Sequence, residues 1–284
     1  MKRILVFCSI IVLFTFIINL SYAWFCGNDY SSINQVELNV SECEEIKISS
    51  DKENFSESLS FNFNNELIPV TSGNNNFYLP EFNIVNYEDN LTSLNIINEN
   101  ELNDYLFIHD FYLDSSICCV GYFDFNDFSL TSNNIYNSHN LNSNGLLGAL
   151  RIGIMEQNKD DDWYYSMIIF PYSKIELNNY VLNYNGDIEE FYYFYSTNDI
   201  NSMTSVETNS SGFRSIDSTL YVWDYNDLSQ LAFTDIKVGI NHYKLVIWLE
   251  GTDRECQNIL KNDTKEDLEV SLRITLKFEN NSSE

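Results

Sequence analysis

Few residues in this chain have the type and spacing for chemistry. The densest set of oxygen ligands is Asn158-Lys159-Asp160-Asp161-Asp162-Trp163. Hard cations take several oxygens from flexible loops, so Asp160, Asp161 and Asp162 are the candidate for a weak calcium site. The spacing is not that of an EF-hand, and no glycine follows, so the same residues also read as a solvated turn. The histidines are His109, His139 and His242. No His-Glu-x-x-His helix and no Gly-x-Ser-x-Gly elbow occurs. The members of a Ser/His/Asp triad meet only in space, and nothing in the sequence points to one. Each histidine reads as structural or surface. Carboxylates are too numerous for a glycosidase pair to stand out. The chain therefore reads as a non-enzymatic protein without a catalytic residue or organic cofactor. A secreted hydrolase is the enzymatic alternative.

Cysteine is the other reactive type. Cys8 falls in an apolar leader, which leaves Cys26, Cys43, Cys118, Cys119 and Cys256. An exported protein meets an oxidising setting, so disulfides are expected. Cys26 and Cys43 are one candidate pair, and Cys256 with Cys118 or Cys119 is another. Neighbouring cysteines rarely bond each other, and an odd number leaves one thiol over. No Cys or His pair has the usual zinc spacing.

The leader decides where the protein works. Lys2 and Arg3 precede an apolar run from Ile4 to Leu20, then Ser21-Tyr22-Ala23. A basic end, an apolar stretch and a small-x-small site make a secretory signal peptide over residues 1–23. Cleavage after Ala23 would leave one secreted domain, residues 24–284, starting at Trp24-Phe25. An uncleaved anchor is the alternative, although the run is short for a span of roughly 20 residues.

The whole chain carries 15 Lys and Arg against 42 Asp and Glu, net −27. Losing the leader removes Lys2 and Arg3 and no acid, which brings the mature charge to −29. Such a field repels nucleic acid and anionic membrane. It favours solubility and attracts cations or basic partners. A hydrophobic share of 44% with 15% aromatics excludes the disordered class.

The elements that must hold these residues are strands, because the dominant hydrophobic period is two. From Leu268 to Phe278, Leu268, Val270, Leu272, Ile274, Leu276 and Phe278 alternate with polar residues. Tyr243–Leu249 is β-rich and more continuously apolar, and reads as a central strand. Further strands are expected at Gln35–Val40, Leu59–Phe63, Phe77–Ile84, Leu106–Leu113, Cys119–Phe125, Leu150–Met155, Tyr164–Phe170, Phe191–Tyr195 and Ser218–Trp223. Short helices are expected at Asp227–Ala232 and Arg254–Lys261, and a long polar loop at Thr131–Asn144. The fold class is then all-β, a jelly-roll-like antiparallel β-sandwich with long polar loops. The aromatic runs Trp163-Tyr164-Tyr165 and Phe191–Tyr195 read as core packing, with stacking on sugars or partners as the alternative. Sequons at Asn39, Asn54, Asn90, Asn209, Asn262, Asn280 and Asn281 are expected by chance in so Asn-rich a chain.

Two segments carry a resemblance. Ser21-Tyr22-Ala23-Trp24-Phe25 resembles the junction of Gram-positive secreted proteins with a SipW-type signal peptide, the group of TasA-like biofilm-matrix proteins and camelysins. Ile247-Trp248-Leu249-Glu250-Gly251-Thr252-Asp253-Arg254-Glu255-Cys256 is similar to a segment near the end of many members of that group. Leu150-Arg151-Ile152-Gly153-Ile154 looks like one of their internal strands. The resemblance covers about 30 residues. It implies a jelly-roll-like sandwich, an extracellular or cell-surface place, and partners that are copies of the chain or other matrix proteins. Camelysins have been classed as metallopeptidases, but no metal-binding motif here could receive that activity. Five mature cysteines, and a first strand without a small, Gly-containing start, are departures from the matrix members. Read physically, Trp248 is core and Glu250–Asp253 is a turn, with Gly251 expected to take a positive φ.

The expected function is structural or interactive, in an extracellular matrix or envelope. Strand addition at a sheet edge is the expected mode of assembly, with Trp24 and Phe25 starting the donor segment. The alternative is a monomeric glycan- or protein-binding module with the weak calcium site.

Overall fold

The computed structural model describes residues 31–40, 46–61, 66–73, 76–85, 88–132, 145–158, 162–171, 176–177, 180–181, 190–194, 203–207, 212–216, 218–223, 231–253 and 268–280. In chain order its first ten strands are β1 (Ser31–Val40), β2 (Ile46–Ser49), β3 (Ser58–Phe61), β4 (Thr71–Gly73), β5 (Asn76–Val85), β6 (Glu88–Ile96), β7 (Phe107–Ser115), β8 (Cys119–Phe123), β9 (Ser129–Ser132) and β10 (Leu150–Gln157). There follow β11 (Trp163–Ile169), β12 (Glu176–Leu177), β13 (Tyr180–Val181), β14 (Glu190–Phe194), β15 (Met203–Glu207), β16 (Phe213–Ile216), β17 (Thr219–Val222), β18 (Leu231–Ile236), β19 (Gly239–Leu249) and β20 (Leu268–Asn280). The helical pieces among the described residues are two 3₁₀ turns, Glu99–Asp104 and Gly145–Ala149.

The chain is an all-β sandwich. One sheet runs β18-β8-β20-β1-β3, with β9 also on β20. The other runs β16-β17-β11-β10-β19-β7-β2. Their inner faces share one apolar core, in which Val36, Leu38, Ile274 and Leu276 meet Phe107, Phe111, Leu245 and Ile247. Ring contacts cross between the sheets at Phe61–Phe107 and Phe233–Tyr243. A third sheet, β15-β14-β4-β5-β6, covers part of the second sheet's outer face, and Phe77 meets Trp248 there edge-on. No helix among the described residues is long and apolar enough to cross a membrane.

Sequence periodicity explains the strands that matter most. In β20, Val270, Leu272, Ile274 and Leu276 are buried as the alternation requires, while Arg273 and Glu279 are exposed. Thr275 breaks the pattern because its hydroxyl donates to Asp127 Oδ2 at 2.7 Å and its carbonyl accepts from Asp124 N. In β1 the register shifts between Ile33 and Gln35, so Ile33 and Val36 both reach the core. β19 lies between β10 and β7 and is buried on both faces from Leu245 to Leu249. That double cover is why its sequence is continuous rather than alternating.

Three expectations need correction. The sheets are mixed, because β1 pairs parallel with β20, β11 with β17 and β14 with β4. Parallel pairs need long connections, and each of these partners is far apart in sequence. No helix forms over the end of Asp227–Ala232. Leu231 and Ala232 open β18 and pair with Phe123 and Tyr122, so cross-strand pairing overrides the local signal. Gly251 has no positive φ, since the positive-φ glycines are Gly212 and Gly239. The expected helix Arg254–Lys261, residues 133–144 of the polar loop and the leader lie outside the described residues.

Candidate functional site

Three polar constellations stand out among the described residues. The first is built where β19 ends. Trp248 Nε1 donates to Glu250 Oε2 at 3.1 Å. Thr71 Oγ1 on β4 donates to Glu250 Oε1 at 2.8 Å, and Thr252 adds its hydroxyl at 2.7 Å and its backbone N–H at 3.2 Å. Arg151 on β10 pairs with Asp253, and its Nη1 donates to the carbonyls of Gly148 and Leu150. The guanidinium also lies 4.1 Å from the ring centroid of Phe170. Backbone bonds close the turn, from Asp253 N to Glu250 O and from Gly251 N to Val70 O.

Arg151 and Glu250 are 0% exposed and Asp253 is 1% exposed. Burial pushes the Glu250 carboxyl above the usual range, and its hydrogen bonds and the Arg151 charge oppose that rise. Gly251 is needed for space. A Cβ there would lie 2.8 Å from Pro80 Cγ and 3.3 Å from the carbonyl carbon of Pro69. Every charged atom of this constellation is turned inward. It locks three sheet segments together and offers nothing to solvent.

The second constellation lies between the sheets. Glu156 accepts from the Tyr164 hydroxyl and from Thr234 Oγ1 at 2.5 Å, and Thr234 is 3.4 Å from the Tyr243 hydroxyl. Burial raises both tyrosines above their usual range, with the Glu156 charge adding to the rise. It fastens β18 to β10 and β11.

The third constellation is open. On the outer face of β7 and β19, away from the third sheet, His242 pairs in register with Tyr112, and Lys244 with Asp110. Asp110 Oδ1 accepts from His242 Nε2 at 2.7 Å. The imidazole stacks on Tyr112, 4.3 Å between centroids, and meets the Trp163 ring edge-on at 4.7 Å. Lys52 Nζ stands 4.7 Å from the Tyr112 centroid, and Lys244 Nζ stands 4.2 Å from that of Trp163. Each such contact is worth about 0.5–1 kcal/mol at an exposed site. Burial holds the His242 pKa below the usual range. Asp110 opposes that, while Lys52 and Lys244 reinforce it. The result is a row of cation, three rings and cation in which Tyr112 is buried beneath His242 and Lys52, while His242, Trp163 and Lys244 are half-buried and Lys52 is exposed. This is the candidate functional site.

The sequence-proposed residues fare unevenly. Of the acidic turn, Asp160 and Asp161 lie outside the described residues. Asp162 N donates to Asn158 Oδ1, and Asn158 N donates to Asp162 O. Cys26, Cys43, Cys256, His139, Trp24 and Phe25 also lie outside them, and with them the proposed disulfides and the donor segment. No disulfide joins Cys118, which is exposed, to the buried Cys119. His109 faces inward, stacked on Phe61 at 4.8 Å, and burial lowers its pKa. Of the first aromatic run, Tyr165 is core while Trp163 and Tyr164 are half-buried. The side chains of 191–194 are not among those described.

Sequence reasoning did not single out Asp110, Tyr112, Lys52 or Lys244. A signal was present, since Asp110-x-Tyr112 and His242-x-Lys244 each put two such residues on one face of a strand. The missing step was the register that lays those faces side by side. Comparison with family models, with curated proteins and with solved structures finds no match.

Proposed function

We propose that this chain is a secreted or cell-surface interaction protein, non-enzymatic and associated with an extracellular matrix or envelope, whose copies join through sheet edges. One observation carries the reading. Of the four exposed large apolar side chains among the described residues, Val238 and Ile240 sit at the β18–β19 turn and the start of β19, and the other two lie on strands that end sheets. Phe213, 41% exposed, is on β16, the terminal strand of the seven-stranded sheet. Ile96, 51% exposed, is on β6, the terminal strand of the third sheet. Terminal strands offer backbone donors and acceptors to another chain, and apolar side chains on them favour that pairing. The leader and the resemblance to SipW-type matrix proteins support an extracellular place.

Light scattering on the mature chain from Trp24, at neutral and mildly acid pH, tests this. Growth into large oligomers, suppressed by Phe213→Lys or Ile96→Lys, is the expected result. A monomer at both pH values overturns it.

A monomeric binding module for glycan or protein is the second reading, favoured by the Tyr112–His242–Trp163 ladder. The weak calcium site at Asp160, Asp161 and Asp162 belongs to that reading. Melting curves with calcium and with chelator check it, and identical Tm values remove calcium from the account.

A further inference from the structure

We propose that the outer face carrying Lys52, Tyr112, His242, Trp163 and Lys244 binds an anionic polysaccharide whose sugars bear carboxylates. The proposal rests on reading the chain as an interaction protein, and names the class of one partner.

The argument starts from charge. In a chain with 42 acids and 15 bases, a lysine has many carboxylates to pair with. Lys52 and Lys244 nevertheless have no ion pair among the described residues. Each ammonium rests over a ring instead. Two nearby carboxylates are engaged elsewhere. Asp110 holds His242. Asp51 is closed on Ser49, Asn54 and the backbone of Glu53. Lys52 and Lys244 therefore stand beside the half-buried rings of His242 and Trp163 with their charges open to an external anion.

Geometry supplies the rest. Tyr112 and His242 are set side by side by the β7–β19 register, and Trp163 on β11 reaches His242 across the intervening β10, where it is paired with Gln157. Aromatic walls with a few fixed polar groups suit a sugar, whose C–H face packs on rings while its substituents take directed contacts. The lysine stems are flexible, so each ammonium can swing from its ring to a carboxylate while the ring face takes the sugar. The molecule's overall negative field disfavours an anion, so binding must come from short-range contacts at this face. Such contacts between exposed groups weaken with salt.

Calorimetric titration with an oligogalacturonate, and with its methyl ester as neutral control, tests the proposal. The expected result is binding of the acid form that weakens with added salt, with little binding of the ester. Lys52→Gln with Lys244→Gln should weaken binding roughly tenfold or more. Trp163→Ala should weaken it further, and Lys237→Gln, at the exposed β18–β19 turn, should leave it unchanged. Equal binding of acid and ester, no binding at low salt, or binding indifferent to the paired lysine change would each overturn the proposal. The lysine variants keep every core side chain, so they serve even if Trp163→Ala unfolds. Light scattering on the same paired variant separates this site from edge assembly, which it should leave intact.

Discussion

Glu250 shows what a single buried carboxylate does in this fold. Its oxygens take four hydrogen bonds, from Trp248, Thr71 and Thr252. Glu250→Ala leaves those donors buried without acceptors, and should cost about 2–5 kcal/mol in urea unfolding. The sign of its pH dependence follows from the raised folded pKa. Relative to the unfolded chain, the site favours the protonated form, so its contribution is full below the ordinary glutamate range and falls as pH rises through the folded pKa. Glu250→Gln mimics the neutral form. The stability of wild type relative to that variant should therefore decline as pH rises from mildly acid to neutral. A constant difference would contradict the assignment. Arg151→Ala strands Asp253 in the interior and should cost about 3–5 kcal/mol, while Arg151→Met with Asp253→Leu should recover much of it. Gly251→Ala meets Pro80 and backbone, so overpacking should cost about 1–3 kcal/mol.

Elements decide which experiments on assembly are fair. A deletion of residues 24–33 would remove Ser32 and Ile33, both buried in β1, and would unfold the sandwich whatever its assembly state. Deleting 24–30 stops before β1. Loss of assembly with Tm unchanged then implicates the donor segment, and unchanged assembly turns attention to β16 and β6. At this scale the sequence was most legible where one physical rule dominates. The alternation in β20 and the double burial of β19 follow from hydrophobic period alone. Arg151 was harder, because its partner Asp253 is 102 residues away and neither side chain has a local signature of burial. The polar strand β6 carries no strong alternation, and it forms by pairing with β5 along its length. The open ladder needed a register that no single strand encodes. Leu231 and Ala232, expected to end a helix, are strand because an acidic start upstream is a weak prior beside pairing with Phe123 and Tyr122.

Over the whole molecule, charge and core pull apart. A net charge of −27 disfavours any compact or associated state at neutral pH. The shared apolar core of the two large sheets and its locked inner carboxylates outweigh that repulsion. Mild acid should therefore favour association more than it weakens the fold, which comparing the midpoint pH of scattering with that of unfolding would check. The pairing of β1 with β20 has a separate consequence, in time rather than in space. Glu37 and Arg273, facing each other in that pair, are 236 residues apart in the chain. Nearly every other strand is synthesised before β1 can find its partner, and such long loops close late. Until β20 is made, β1 has only β3 beside it in the first sheet, and β8 and β9 lack the strand that joins them to it. The first sheet therefore closes only when its last described strand is made, and chains that stop before Leu268 should be degraded rather than folded.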